Sequence, residues 1–250
     1  MQYRPGGFNL MPLVVKNLLI INGLFFLATV SMAGAFQLDL IKTLGLHMPG
    51  SPDFEPYQFI SHMFMHANFS HIFFNMFALW MFGSAIENLM GPKRFLTYYL
   101  ITGFGAAFLH LGVSYMEMVN LRSELLAAGY SAEDLRQFIE TGSYRVLPGV
   151  SERALVGYLS KYFIPTVGAS GAVFGILLAF GMFFPNSYIY LFFAIPIRAK
   201  YFVIAYGVLE LYFGVVNRPG DNIAHFAHLG GMLFGFLLIK YWRRRGQIYY

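Results

Sequence analysis

The 250-residue sequence predicts an all-α membrane protein: a bundle of six transmembrane helices, the fourth of them short, with an extracytoplasmic insert between the third and fourth. Three observations predict it. Hydrophobic residues make up 57% of the chain and charged residues only 12%, about half the roughly 25% charge of a soluble domain. Six runs approach the ~20 mostly apolar residues that a bilayer span takes. Ten of the 17 Lys and Arg also fall on one side of those runs, and five of the other seven sit in one long loop where charge has weaker topogenic force. This composition excludes a disordered chain, a basic-faced nucleic-acid binder and most soluble enzymes. Cysteine is absent, which excludes disulfides, thiol nucleophiles and Cys-ligated zinc.

The first run covers about residues 13–36. It ends in Ala33-Gly34-Ala35, which has the small-residue look of a signal-peptide cleavage site. Its apolar stretch exceeds the ~7–15 residues of a signal core, so it reads as an uncleaved span. The second covers about 69–90 and the third about 95–118. A mixed-charge insert follows, about 117–161. Within it Ser131-Ala-Glu-Asp134 begins like a capping box and leads into Leu135, Phe138 and Ile139 at helical spacing. One or two amphipathic helices are expected there. The fourth run, about 168–184, stops at Phe183-Phe184-Pro185. The fifth covers about 199–216 and the sixth about 222–242. The whole chain, 1–250, reads as one membrane domain.

Charge sets the orientation. With the N-terminus in the cytoplasm, Arg4, Lys16, Lys93, Arg94, Arg198, Lys200, Lys240 and Arg243-Arg244-Arg245 lie inside. Most acids then lie outside, among them Asp39, Asp53, Glu117, Asp134 and Asp221. The net charge of +5 is therefore a topology signal, and no nucleic-acid partner is expected. The terminal arginines can meet anionic lipid head groups. Both termini are expected in the cytoplasm of a multi-pass protein, with a bacterial inner membrane as its setting.

Polar side chains inside apolar spans are costly and mark sites. The first cluster contains His62, His66, His71 and Asn75. His71 and Asn75 are four apart and share one helix face. His62 and His66 have the same spacing, but no acid completes a metal site beside them, and no metal is expected. Their bland reading is structural hydrogen bonding. In the second cluster, Gly168-Ala169-Ser170-Gly171 opens the fourth run. About 15 residues separate Ser170 from the proline stop, roughly 22 Å of helix, against ~30 Å of hydrocarbon. The helix must therefore start below the outer surface, with its unpaired N–H groups around Ser170. The third cluster is His225, His228, Gly231 and Gly235. Gly171/Gly175 and Gly231/Gly235 are each a GxxxG, a spacing that lets membrane helices approach closely. If the two stripes face each other, His228 lies over Ser170.

A serine hydroxyl needs a base to act as a nucleophile, and His228 is the candidate. With no aspartate further along the sixth span, a dyad is read rather than a triad. The Ser170 N–H, His71 and Asn75 are candidate oxyanion donors. The reaction read from these residues is acyl transfer to water, that is, peptide hydrolysis within the membrane. Glu210 reads as a packing or lipid-interface group.

These motifs resemble those of the rhomboid family of intramembrane serine proteases. The resemblance rests on His71-Ile-Phe-Phe-Asn75, Gly168-Ala-Ser170-Gly171, Ala227-His228-Leu-Gly-Gly231 with Gly235, and Glu87 followed by Gly91. It covers about residues 10–245. It implies a six-helix rhomboid-like bundle with Ser170 as nucleophile and His228 as general base. His71 and Asn75 would bind the oxyanion, and Gly168, Gly171, Phe174, Gly231 and Gly235 would support the site. The implied substrates are single-span membrane proteins, with no cofactor. Three features depart from the family pattern. Tyr57-Gln58 stand where some members carry Trp-Arg, Phe174 stands where a tyrosine is common, and the insert is long. Two readings compete: an inactive rhomboid-like protein that binds client helices, and a channel or transporter with proton-relaying histidines. The second leaves the glycine-flanked Ser170 unexplained.

Overall fold

The computed structural model describes residues 7–150, 152–191, 194–216 and 223–248. Arg4, Arg218, Asp221 and the expected start of the sixth run at Asn222 lie outside the described residues. Helix α1 (Leu13–Phe36) begins after Pro12 and ends where Gln37 turns left-handed, at φ 54°. Its first turn is capped from afar: the Val14 and Val15 N–H groups donate to Glu87 Oε1 and Oε2 at 2.9 and 2.8 Å. Glu87 thus satisfies donors that every helix start leaves open, and its negative charge suits that end of the dipole.

Short helices α2 (Leu40–Leu44) and α3 (Gln58–Ser61) lie in the connection to the next long rod. That rod is α4 (Phe69–Ala78) and α5 (Ser84–Met90), joined by a π-helical turn over Leu79–Gly83. Gly91 adopts φ +79°, a conformation that favours glycine, and Pro92 then starts α6 (Pro92–Ala127). At 36 residues this helix is about 54 Å long and outruns the bilayer core. Its far end joins α7 (Ala132–Thr141) and α8 (Glu152–Phe163). The Ser131–Asp134 capping box is formed at the start of α7. Leu125, Leu135, Phe138, Leu155 and Tyr158 build a small core of their own there, and Lys161 pairs with Glu117 at 2.5 Å.

Helix α9 (Ser170–Phe183) is followed by a two-stranded antiparallel hairpin, β1 (Tyr188–Leu191) and β2 (Ile195–Arg198), then α10 (Ala199–Val216) and α11 (His225–Arg244). Among the described residues, four helical stretches are long and apolar enough to cross a membrane: Leu13–Phe36, Phe69–Met90, Pro92–Ala127 and Ala199–Val216. Ser170–Phe183 is a shorter apolar helix. The main core lies between α6, α9 and α11, with Phe95, Tyr98, Tyr99, Ile176 and Ile239 fully buried. Small residues let these three helices come close. A Cβ on Gly175 would strike Thr102 at 2.7 Å, and one on Gly230 would meet the Ala106 Cα at 2.9 Å. Tyr98 donates its hydroxyl to the Gly175 carbonyl at 2.7 Å, which bolts α6 to α9.

Candidate active site

Ser170 is the first residue of α9. The segment before it is held by the connection that follows α1. Leu46 and Thr166 exchange backbone hydrogen bonds at 2.9 and 2.8 Å, and Gly168 N–H donates to the His62 carbonyl at 2.9 Å. Gly168 sits at φ +124°, and a Cβ there would lie 2.7 Å from His71 Nε2 and 3.5 Å from Ser170 Oγ. Only glycine suits both the backbone angle and the space. His71 and the serine hydroxyl therefore converge on the same glycine. A small cavity beside it is lined by His62, Thr166, Gly168, Ser170, Gly171 and Ala227 among others.

The opposite wall is α11. A Cβ on Gly231 would collide with the Gly171 carbonyl, 2.7 Å from its carbon and nearer still to its oxygen. A Cβ on Gly171 would stand 3.4 Å from the Ala227 carbonyl oxygen. The two helices thus touch backbone to backbone one residue below Ser170 and one turn below His228. Phe174, one turn below Ser170, stacks on the His228 ring with centroids 4.0 Å apart and planes 5° from parallel. The two GxxxG stripes face each other only at their upper glycines. Gly175 faces Thr102, and Gly235 faces the Tyr98 hydroxyl, both on α6. Among the described residues no hydrogen bond joins the Ser170 hydroxyl to His228. Such bonds are often long before substrate docks.

Asn75 is buried on α4, and its Nδ2 donates to the His71 carbonyl at 2.8 Å. One of its two amide protons is therefore engaged within its own helix. His62 and His66 are both buried. His62 Nδ1 donates to the Gln58 carbonyl at 2.8 Å, and burial pushes its pKa down to about 4. His66 packs edge-on to His71 with centroids 5.0 Å apart, and neither of its ring nitrogens has a partner. Burial, then the neighbouring His71, takes its pKa to about 4. The neutral His62 ring ties the connection down as expected, whereas His66 makes no such bond among the described residues and only fills space.

Glu210 departs from its expected place. Instead of packing idly or facing lipid, it is buried, and its Oε2 lies 2.6 Å from His225 Nδ1 and 2.9 Å from His228 Nδ1. Among the described residues this trio is also the one cluster whose donor atoms lie close enough, within 4.8 Å, to hold a metal. The separations speak against that use. Ligands on a tetrahedral ion with bonds of about 2.0–2.1 Å stand roughly 3.3 Å apart, whereas 2.6 and 2.9 Å are charge-assisted hydrogen-bond lengths.

A model of the Rhomboid domain family matches residues 53–245, from the connection before α3 to the last basic turn of α11. The chain belongs to the rhomboid family. It is 28% identical over 179 residues to Rhomboid protein 1, mitochondrial, of Saccharomyces cerevisiae, covering 71% of this chain and 39% of the relative. An uncharacterized mitochondrial rhomboid protein of Schizosaccharomyces pombe is 27% identical over 205 residues, 73% of this chain and 50% of its own. RHOMBOID-like protein 12, mitochondrial, of Arabidopsis thaliana is 28% identical over 175 residues, covering 69% and 42%. The chain thus spans half or less of these relatives' own length. Their names place those proteins in mitochondria, so the expectation of a bacterial inner membrane draws no support from them.

In this rhomboid, Gln58 does the anchoring in the first connection, where Tyr57-Gln58 depart from the family pattern. It is fully buried, donates from Nε2 to the Asp53 and Thr43 carbonyls at 2.8 and 3.2 Å, and accepts from His47 N–H at 3.2 Å. Sequence reasoning singled out both Gln58 and Glu210 but gave neither of them these partners. A signal existed for Glu210, since an acid within an apolar span marks a site by default.

Proposed function

We propose that this rhomboid is a serine endopeptidase that hydrolyses peptide bonds of single-span membrane proteins within the membrane. The observation that carries the reading is the backbone contact between Gly171 and Gly231, with Phe174 under His228, which sets the histidine at the depth of the α9 N-terminus. The Ser170 hydroxyl attacks the scissile carbonyl carbon while its proton passes to His228 Nε2. The negative oxygen of the tetrahedral intermediate is met by the Ser170 N–H, the His71 ring and the second Asn75 amide proton. His228 gives its proton to the departing amine, and the peptide bond breaks. Water, deprotonated by the same nitrogen, then attacks the acyl-serine; the ester bond breaks, His228 returns that proton to Ser170 Oγ, and the carboxylate product leaves.

The proposed topology has six spans, α1, α4–α5, α6, α9, α10 and α11, with α7 and α8 outside. Both termini are cytoplasmic, and the site opens to the extracytoplasmic side. The short α9 supports this, since 14 residues make about 21 Å and leave Ser170 below the surface. Lipid and substrate helices are its partners, and no cofactor takes part. Fluorophosphonate labelling and cleavage of a reporter span in proteoliposomes test the reading. Wild type is expected to label and cleave, and Ser170→Ala to do neither. Equal labelling of both removes Ser170 as nucleophile. A client-binding role without hydrolysis then becomes the better reading.

A further inference from the structure

We infer that Glu210 positions the general base, adding a third, orienting residue to the Ser170–His228 pair. The inference rests on the protease reading above. Along α10 the buried residues are Ala199, Val203 and Glu210, four and seven apart, which is one narrow stripe of a helix. Ile204, Val208, Leu211 and Val215 on the remaining surface are all exposed and apolar. An acid on such a helix would be far better placed at its ends. Here it lies on the stripe turned into the bundle, which meets Gly181 of α9 at Val203 and α11 at Glu210, with its side chain 11% exposed.

The chemistry of the contact fixes the histidine's proton. An ionised carboxylate oxygen only accepts hydrogen bonds, so both Nδ1 atoms facing Glu210 Oε2 must carry their hydrogens. His228 is then the Nδ1–H tautomer, and Nε2 holds its only lone pair. That is the nitrogen needed to take the Ser170 proton. The ring is fixed twice, by Phe174 against its face and by Glu210 at its edge. His225 donates to the same oxygen from one turn earlier and holds the carboxylate in place. When Ser170 attacks, its proton moves to Nε2, and the resulting imidazolium lies beside a carboxylate that keeps no proton itself. Opposite charges form where one was already waiting, so little need rearrange in a water-poor site.

Two measurements on the full chain in detergent test this. The first is the ¹⁵N spectrum of histidine-labelled wild type, with His228 assigned by its loss in His228→Asn. The Nδ1–H tautomer is expected. The Nε2–H tautomer overturns the proposal, and this result needs no folded Glu210 variant. The second is the kinetics of reporter cleavage. Glu210→Gln is expected to lower kcat by about 10²–10⁴-fold with KM within about threefold, and to move the His228 signal away from the Nδ1–H form. Glu210→Asp should recover part of kcat. His225→Ala, which leaves the bond from His228 to Glu210 in place, should keep part of the activity. A kcat for Glu210→Gln within about threefold of wild type overturns the proposal. Activity surviving in Ser170→Ala sinks the protease reading instead, and the tautomer still decides whether Glu210 orients His228.

Discussion

The contact between Gly231 and Gly171 sets the distance between the two halves of the site, so Gly231→Ala tests the whole arrangement with one methyl group. The added Cβ would lie 2.7 Å from the Gly171 carbonyl carbon, while carbon atoms rest at about 3.5 Å or more. The obstacle is backbone, so no side chain can swing aside. Clearing that carbon alone parts the helices by about 0.8 Å, and clearing the nearer carbonyl oxygen parts them by more, or tilts them to the same effect. Misplacing reacting groups by about 1 Å costs on the order of 10²-fold in rate, and overpacking a tight contact costs about 1–3 kcal/mol. The expected outcome is a 10–100-fold loss of reporter cleavage with a lowered thermal midpoint in detergent. Gly112→Ala is the control, because a Cβ on that α6 glycine meets nothing within 4 Å. Labelling rates by fluorophosphonate separate a displaced nucleophile from poor substrate docking. If Gly231→Ala cleaves and labels within about threefold of wild type, the close approach of α9 and α11 does not govern the chemistry.

Asn75→Ala is expected to slow cleavage by about 10–1000-fold, the range for one oxyanion donor. An unchanged rate would leave its bond to the His71 carbonyl as its whole role. Acid should loosen the protein through His62 and His66. Their folded pKa values of about 4 lie below the ordinary 6.5, so the unfolded chain binds more protons between those limits. The stability from the neutral rings is whole above about pH 6.5 and is lost as pH falls through about 4, up to roughly 3 kcal/mol for each ring. Thermal unfolding across that range should show the loss, and His62→Gln, which does not titrate, should blunt it. A flat pH dependence would contradict the burial of both rings.

Much of the candidate site is legible in the sequence, because burying polar groups in apolar runs is costly and leaves few to choose from. Counting residues to Pro185 predicts a short fourth helix, and α9 runs only from Ser170 to Phe183. The match of Gly171 to Gly231 followed from two helices each offering a gap. Periodicity names the face of a helix but not its neighbour, and that is why Gly175 and Gly235 were paired with each other. In the fold both are occupied by α6, through Thr102 and Tyr98. Gln58 was illegible for a different reason. Its three partners, His47, Asp53 and Thr43, are backbone groups whose positions depend on how the connection folds.

Glu210 shows where pattern and physics part. By composition α10 is an ordinary apolar helix with one blemish. By energetics, an unpaired carboxylate in so buried a place would cost several kcal/mol, so it must have donors, N–H or O–H. Among the described residues, the buried side-chain N–H donors are the histidines, the amides of Asn22, Gln58 and Asn75, the Nε of Arg243 and the Trp242 indole. Asn22, Gln58 and Asn75 donate to backbone carbonyls, and His62 donates to Gln58. His225 and His228 are the pair that follows α10 directly in the chain, three apart on the face of the next helix. The need of the acid for two donors and the need of the base for a fixed tautomer are thus met by the same two hydrogen bonds. Removing the carboxylate should therefore disturb the base more than the fold.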